Sequence, residues 1–324
     1  MQDIQFPIAS QPSDLDDLIQ RANDLMHAAK ANSTRKAYRN DWRAFESWCT
    51  AHKLPSLPST PQIIALFIAD CVTARLAPAT ISRRLSSITK AHQAAGFKDS
   101  PASTKNFVVG EVLKGARRKL GVAQKGKDAL LLSDVRRILG ACPKSLLGQR
   151  DRALVLVGFA GGFRRSELAS IYKSDLSFSD RGLVINLRHS KTDQEGVGRE
   201  VAIPFGEHKE TCPVRTVREW MAADAITNGP VFRGVDRHSR ISPSGLHPDS
   251  IGTILKRAAT RAGIDATNLA GHSMRAGMAT QAAMNGAAER EIAKTTGHKS
   301  THVLRRYIRT GRLFQENASA NLGL

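Results

Sequence analysis

The chain has 324 residues, which is long enough for two domains with hydrophobic cores of their own. It carries 48 lysines and arginines against 29 aspartates and glutamates, a formal net charge of +19. This excess favours nucleic acid as a partner, although a basic surface that serves solubility would give the same total. The four cysteines form no Cys-x-x-Cys pair, which argues against a zinc site and a disulfide framework and fits a reducing compartment.

The N-terminus has no basic region followed by an apolar run, so no signal peptide is predicted. No apolar stretch approaches the ~18 residues that a membrane span requires. We therefore expect a cytoplasmic protein without a membrane partner, and a nucleic-acid partner would associate it with the nucleoid.

Residues 1–30 are predicted to form an extension whose charge is opposite to that of the remaining chain. They hold five aspartates against Arg21 and Lys30, a net −3, which leaves +22 on residues 31–324. Apolar residues recur at three- and four-residue steps from 13 to 29, which predicts one amphipathic helix that Ser13 can cap.

Residues 31–120 are predicted to form an all-α domain of four helices around one core. The first helix begins near Thr34, the second runs from Pro61 to Val72, the third spans 78–95 and the fourth begins near 103. A segment with two glycines, 121–129, is the predicted linker to a second domain. Basic residues on the polar helix faces and in the linker are predicted to contact DNA: Arg35, Lys36, Arg39, Arg43, Arg83, Arg84, Lys90, Arg117, Arg118, Lys125 and Lys127.

Residues 130–324 are predicted to form a mixed α/β domain. Ser133-Asp134 opens a helix, and a buried helix follows from 150 to 159. Alternating apolar residues predict strands at 176–178, 183–187 and 200–203, with a turn between the last two. The rest is predicted to be helical, at about 213–226, 250–262, 273–285, 288–295 and 300–309.

Five short motifs in this second domain hold side chains that suit phosphodiester chemistry. A phosphodiester must have its negative charge neutralised before a weak oxygen nucleophile can attack it. Arginine stays charged and can donate two parallel hydrogen bonds to phosphate. The motifs are Gly162-Phe163-Arg164-Arg165-Ser166-Glu167-Leu168, Ser190-Lys191-Thr192, His272-Ser273-Met274-Arg275, Thr296-Gly297-His298 and Tyr307.

This order of residues resembles the tyrosine recombinase (phage integrase) family, over nearly the whole chain beyond about residue 31. The family pattern Gly-Leu-Arg-x-Ser-Glu-Leu aligns its arginine with Arg164, with Phe163 here in place of leucine. The stretch 82–88 matches the family's N-terminal core-binding domain. The resemblance implies a mainly α fold: a four-helix, SAM-like core-binding domain followed by a mixed α/β catalytic domain with a small antiparallel sheet.

The resemblance also implies a role for each motif residue. Tyr307 would attack the phosphate, and Arg164 and Arg275 would hold the two non-bridging oxygens. Arg165 is the rival for the first arginine role, but it falls at the variable position of the motif. Lys191 would protonate the departing 5′ oxygen, as a lysine can when neighbouring positive charge lowers its pKa. A solvated hairpin lysine is the alternative for Lys191.

Two histidines and a carboxylate complete the implied catalytic set. His272 and His298 would donate to non-bridging oxygens, and most of the family carries histidine where this chain has His298. Glu167 would orient an arginine or histidine, or would form only an ion pair on a helix surface. His298 and His302 are four positions apart, a spacing that can bind zinc, but no third ligand is apparent nearby. No metal and no cofactor are expected.

The resemblance implies a site-specific DNA recombinase that cuts and rejoins double-stranded DNA through a 3′-phosphotyrosine intermediate. It further implies a homotetramer on two paired sites, in which residues 313–324 dock on a neighbouring subunit, with accessory proteins as possible partners. Three alternatives stay open: a type IB topoisomerase-like enzyme, a telomere resolvase, and a DNA-binding protein whose site has decayed. Strand exchange between two DNA molecules would separate the recombinase from all three.

Overall fold

A computed structural model describes residues 13–29, 31–97, 99–121, 126–188, 198–223, 225–298 and 300–313, together with Ser319 and Leu322. The chain divides into two compact units, Met1–Gln124 and Lys125–Leu324. The domain limits expected at 30, 120 and 129 stay predictions. Among the described residues, no helix is both long enough and apolar enough to cross a bilayer.

The first unit is helical throughout its described elements. Thr60 accepts a hydrogen bond from the backbone N–H of Ile63 at 3.4 Å and so caps the start of the third helix. Phe45, with no exposed surface, packs its ring 5.0 Å from that of Phe67 at the centre of the core. The predicted mainly α fold is confirmed here. The helices are α1 (Ser13–Ala28), α2 (Asn32–Ala51), α3 (Pro61–Thr73), α4 (Pro78–Ala94) and α5 (Phe107–Leu120).

The second unit mixes helices with two small antiparallel sheets. Its helices are α6 (Leu132–Gly140), α7 (Leu146–Ala160), α8 (Arg165–Ala169), α9 (Pro213–Ala223), α10 (Pro248–Arg261), α11 (Ser273–Met284), α12 (Glu289–Thr296) and α13 (Thr301–Gly311). Its strands are β1 (Leu176–Phe178), β2 (Gly182–Leu187), β3 (Arg199–Pro204), β4 (Arg233–Val235) and β5 (Ile241–Gly245). Short 3₁₀ turns occupy Lys173–Asp175 and Lys209–Thr211.

The three-stranded sheet has the order β1-β2-β3, as the alternation of apolar residues predicted. Strand β2 pairs with β3 so that Leu183 faces Ile203 and Ile185 faces Val201, and all four side chains are buried. Because side chains alternate along a strand, this register sends the apolar set to the core. Strand β3 starts at Arg199, one position before the predicted start.

The main core of the second unit is built around α7, which is buried on nearly every face and packs against α9 and α11. A smaller cluster joins α11, α12 and α13. Its buried members are Ala279, Ala283, Ile292, Leu304 and Ile308. This cluster fixes the three C-terminal helices against one another, and these helices carry three of the motifs.

The hairpin of β4 and β5 corrects the expectation that everything after the first sheet is helical. Residues 233–245 show no apolar alternation, and the strands are half-buried or exposed, with an irregular register between Arg233 and Val235. A strand that buries neither face needs no alternating pattern, so its sequence carries no strand signal. The five-residue helix α8 was also not predicted.

Phe45→Ala should lower the free energy of unfolding of the first unit by about 3–5 kcal/mol, because it empties a fully buried site among aromatic rings. Phe107→Ala is the matched control, since Phe107 is 80% exposed in the same unit and should change stability by less than about 0.5 kcal/mol. Chemical denaturation followed by tryptophan fluorescence checks both. Equal midpoints for Phe45→Ala and wild type would contradict the assigned core.

Candidate active site

Glu167 fixes the first arginine of the candidate site at the start of α8. The backbone N–H of Arg164 donates to Oε2 of Glu167 at 2.9 Å and so caps the helix, while its guanidinium donates to Oε1 at 2.5 Å. The Glu167 side chain is only 1% exposed, and a carboxylate at that depth needs such partners. Arg165, the rival for the arginine role, is exposed and pairs with Asp249 at 2.6 Å.

Three arginine side chains bind at the C-terminal end of α12. The last carbonyls of a helix have no intrahelical partner and carry the partial negative charge of the helix end. Cationic donors are therefore stabilised at this position. Three consecutive carbonyls each accept from a different arginine: Thr295 from Arg199 at 2.7 Å, Thr296 from Arg275, and Gly297 from Arg164 at 3.4 Å.

Arg275 is the most deeply buried of the predicted phosphate-binding residues. Besides its bond to Thr296, Nη1 donates to the carbonyl of Gly162 at 2.8 Å. Gly162 has φ +57, a left-handed conformation that glycine adopts without strain, and this turn aims its carbonyl inward. Burial, followed by the nearby charge of Arg164, lowers the pKa of Arg275 to about 10, so the guanidinium is still charged at neutral pH.

His298 lies between Arg275 and Thr296. Nη2 of Arg275 is 3.1 Å from Nε2 of His298, and Thr296 Oγ1 is 2.6 Å from Nδ1. A guanidinium can only donate, so Nε2 accepts and the ring proton lies on Nδ1, facing Thr296. Burial, followed by the charges of Arg275, Arg164 and Arg199 in that order, lowers the pKa of His298 to about 4. The imidazole is therefore neutral at pH 7.

Tyr307 is half-buried on α13 and packs against the small cluster of α11, α12 and α13. It lies close enough to Arg275 to raise the pKa of that guanidinium slightly. Of the three arginines close to it in sequence, Arg305 pairs with Glu289 at 3.2 Å, and all three are exposed. Arg275, supplied by another helix, is a cation that the fold brings near the phenol.

Of the other two predicted catalytic residues, the structure describes His272 but not Lys191. His272 is exposed at the N-terminal end of α11, three positions before Arg275, so both residues share one face of the helix. Lys191 lies outside the described residues. Its role as the acid stays a prediction.

Arg199 is the member of the cluster that the sequence analysis missed. It is the first residue of β3, and besides Thr295 it contacts Glu167 Oε2 at 3.3 Å. Burial lowers its pKa, while the charge of Glu167 raises it. The residue stands at the end of the predicted turn, where a basic residue is ordinary, so its sequence context held no sign of a buried position.

The basic residues predicted to contact DNA fall into two groups. Asp41, buried on α2, accepts from Arg83 at 2.7 and 3.1 Å and lies 3.9 Å from Arg84. Arg84 also covers the ring of Phe67 at 5.6 Å, so much of its side chain serves the packing of the first unit. Lys125 lies outside the described residues. Exposed members are Lys36, Arg39, Arg43, Lys90, Arg117, Arg118 and Lys127, and Arg35 is half-buried.

The described residues contain no group of three histidine, cysteine or acidic side chains that could hold a metal ion. His302 is exposed on α13, whereas His298 points into the arginine cluster. An open groove of about 570 Å³ reaches this cluster and is lined by α12 and the start of α13, including Glu289, Lys294 and His298.

Comparison with known sequences decides the family. A model described as "Phage integrase family" matches residues 129–312, and one described as "Phage integrase, N-terminal SAM-like domain" matches residues 22–96. The chain belongs to the phage integrase family of tyrosine recombinases. It is 37% identical over 299 residues to an integrase/recombinase xerD homolog of Selenomonas ruminantium, across 92% of this chain and 87% of that protein. The protein is accordingly an enzyme of site-specific DNA recombination.

Solved structures agree on the fold. The Tn1549 transposon integrase in complex with transposon right end DNA superposes with a TM-score of 0.61 at 16% identity, across 91% of this chain and 96% of that one. A lambda integrase tetramer bound to a Holliday junction superposes with a TM-score of 0.58 at 18% identity, across 92% and 78% of the two chains. The expected core-binding and catalytic folds are thereby confirmed.

The pKa of His298 should be near 4 in the DNA-free protein, far below the usual 6.5, and histidine-selective NMR titration measures it. Because the pKa of His298 is lower in the folded protein than in the unfolded chain, acid favours the unfolded chain. The free energy of unfolding should therefore fall as the pH is lowered from about 6.5 to about 4. His298→Gln should remove part of that fall and identifies the resonance. An ordinary pKa for His298 would contradict the burial of the ring against Arg275.

Proposed function

We propose that this recombinase cuts and rejoins DNA through a 3′-phosphotyrosine intermediate, as a tetramer on two paired sites. One observation carries the proposal: Arg164 and Arg275 come from distant parts of the chain and are held at the end of one helix, and Tyr307 lies near enough to Arg275 to interact with its charge. Two guanidiniums and a phenol in one place supply both charge neutralisation and a nucleophile for a phosphodiester.

The reaction follows from these groups. The Oη of Tyr307 attacks phosphorus, a bond forms between them, and the bond from phosphorus to the 5′ oxygen breaks. The phenolic proton passes to a base, for which His272 is the candidate, and the departing 5′ oxygen takes a proton from Lys191. The free 5′ hydroxyl of a partner strand then reverses these steps and releases Tyr307. The phosphodiester energy is kept in the protein–DNA bond, so no nucleotide cofactor takes part.

The histidine-arginine contact suggests how DNA binding prepares the site. Burial, together with the positive charge of the arginines, keeps His298 neutral and unable to donate from Nε2, and a phosphate between Arg164 and Arg275 would offset that positive charge. His298 would then gain the proton with which it binds a non-bridging oxygen. Glu167 takes part by orienting Arg164 through the two hydrogen bonds already described.

We propose that the basic residues of both units contact the phosphates of the DNA backbone. The net charge of +19 and the exposed lysines and arginines of α2, α4 and α5 support this role. Phosphate contacts position a protein on the duplex without specifying sequence, so the recognised site depends on further contacts to base edges.

Tyr307→Phe should bind its DNA normally and form no covalent adduct, because the ring keeps its packing but loses the attacking oxygen. The probe is a duplex selected from a randomised library by repeated binding and nicked to trap the cleaved strand. Denaturing gels detect the adduct, and Tyr172→Phe is the control, since Tyr172 is exposed and outside the cluster. An adduct that persists in Tyr307→Phe would exclude this nucleophile.

Deleting residues 313–324 should spare binding to one site but abolish the paired-site complex and strand exchange. Leu313 and Leu322 are 62% and 66% exposed, and apolar side chains gain from burial on a neighbouring subunit. Native gels with one-site and two-site DNA separate the two steps, and plasmid relaxation by the truncated protein tests for topoisomerase activity. A four-subunit complex formed by the truncated protein would overturn this assembly role.

A further inference from the structure

Arg199 connects three separate elements of the second unit. It begins β3, its Nη1 donates to the carbonyl of Thr295 at the end of α12, and its Nη2 donates to Glu167 of α8. The side chain is 19% exposed, and its Nε is buried with no hydrogen-bond partner among the described residues.

The carboxylate of Glu167 is shared between two arginines. Oε1 accepts from the guanidinium of Arg164, while Oε2 accepts from the Arg164 backbone and from Arg199. If Arg199 were absent, Oε2 would lose one of its two partners, and Glu167 would be balanced by Arg164 alone. The orientation of Arg164 and the charge that it can offer to a phosphate therefore both depend on Arg199.

The end of α12 depends on Arg199 as well. Gly297 has φ +66, and a Cβ at that position would lie 2.7 Å from Nε of Arg199. The guanidinium therefore packs directly against the backbone of Gly297, whose carbonyl binds Arg164. The carbonyls that follow the one held by Arg199 bind Arg275 and Arg164, and His298 comes next in the chain.

We infer that Arg199 is a positioning residue for the recombination reaction: by bridging Glu167 and Thr295 it holds Arg164 in register with Arg275. This inference rests on the proposed phosphotyrosine chemistry. The planar guanidinium reaches two acceptors on different elements at once, whereas the ammonium of lysine is a single charge on a flexible stem. The bridge sets catalytic geometry, so its loss slows cleavage more than it weakens DNA binding.

The experiment measures binding affinity and the rate of covalent adduct formation with the selected, nicked duplex. Arg199→Ala should lower the rate by roughly 100-fold while the affinity changes by less than about 3-fold, because misplaced catalytic groups cost rate. Arg199→Lys should fold and remain at least about 10-fold slower than wild type. Arg188→Ala is the matched control. Arg188 directly follows β2, the strand that pairs with β3, and it forms an ion pair with Asp175 at 2.6 Å. This variant should leave the rate unchanged.

A double variant separates positioning from an independent effect. If Arg199 acts through Glu167, Arg199→Ala combined with Glu167→Gln should be no slower than the slower single variant. Losses that multiply, or a wild-type rate in Arg199→Ala or Arg199→Lys, would overturn the inference. Should the wild-type protein form no adduct at all, the proposed function itself fails, and that outcome is distinct from a wild-type rate in the Arg199 variants.

Discussion

The arginine cluster of the candidate active site depends on the C-terminal end of α12, where three consecutive carbonyls each accept a hydrogen bond from an arginine. Three guanidiniums close together repel one another, and the partial negative charge of a helix end offsets part of that repulsion. The left-handed Gly297 ends the helix and leaves room for Arg199. The phosphate site that we propose is thereby assembled from the chain's own backbone and side chains, so phosphate binding there would require little rearrangement of charge.

A second arrangement occurs three times among the described residues: one buried carboxylate forms ion pairs with two arginines. Asp41 contacts Arg83 and Arg84, Asp151 contacts Arg150 and Arg257, and Glu167 contacts Arg164 and Arg199. A buried carboxylate is costly unless several donors satisfy it, and two guanidiniums leave a net positive charge at the site. In the second unit, the residual positive charge around Glu167 lies at the proposed phosphate site. In the first unit it leaves Arg83 half exposed on the helical surface.

The same electrostatics set the state of His298. Burial and the charges of three arginines keep its ring neutral. Arg275 donates to Nε2, the nitrogen that would have to carry a proton in order to donate to a phosphate. A site poised in this way favours an anion over a cation from the outset. Under the proposed chemistry, phosphate binding and protonation of His298 would be coupled, because each would stabilise the other.

The sequence by itself determined the family, the order of helices and the motif residues, since helical and strand periodicities and residue order are local properties. Arg164 could be favoured over Arg165 from the motif alone. Only the tertiary structure decided that Arg199 joins the cluster and that the carbonyls of Thr295, Thr296 and Gly297 bind the three arginines. Backbone carbonyls are the same at every position and carry no sequence signal. The exposed hairpin 233–245 was missed for the related reason that it buries neither face.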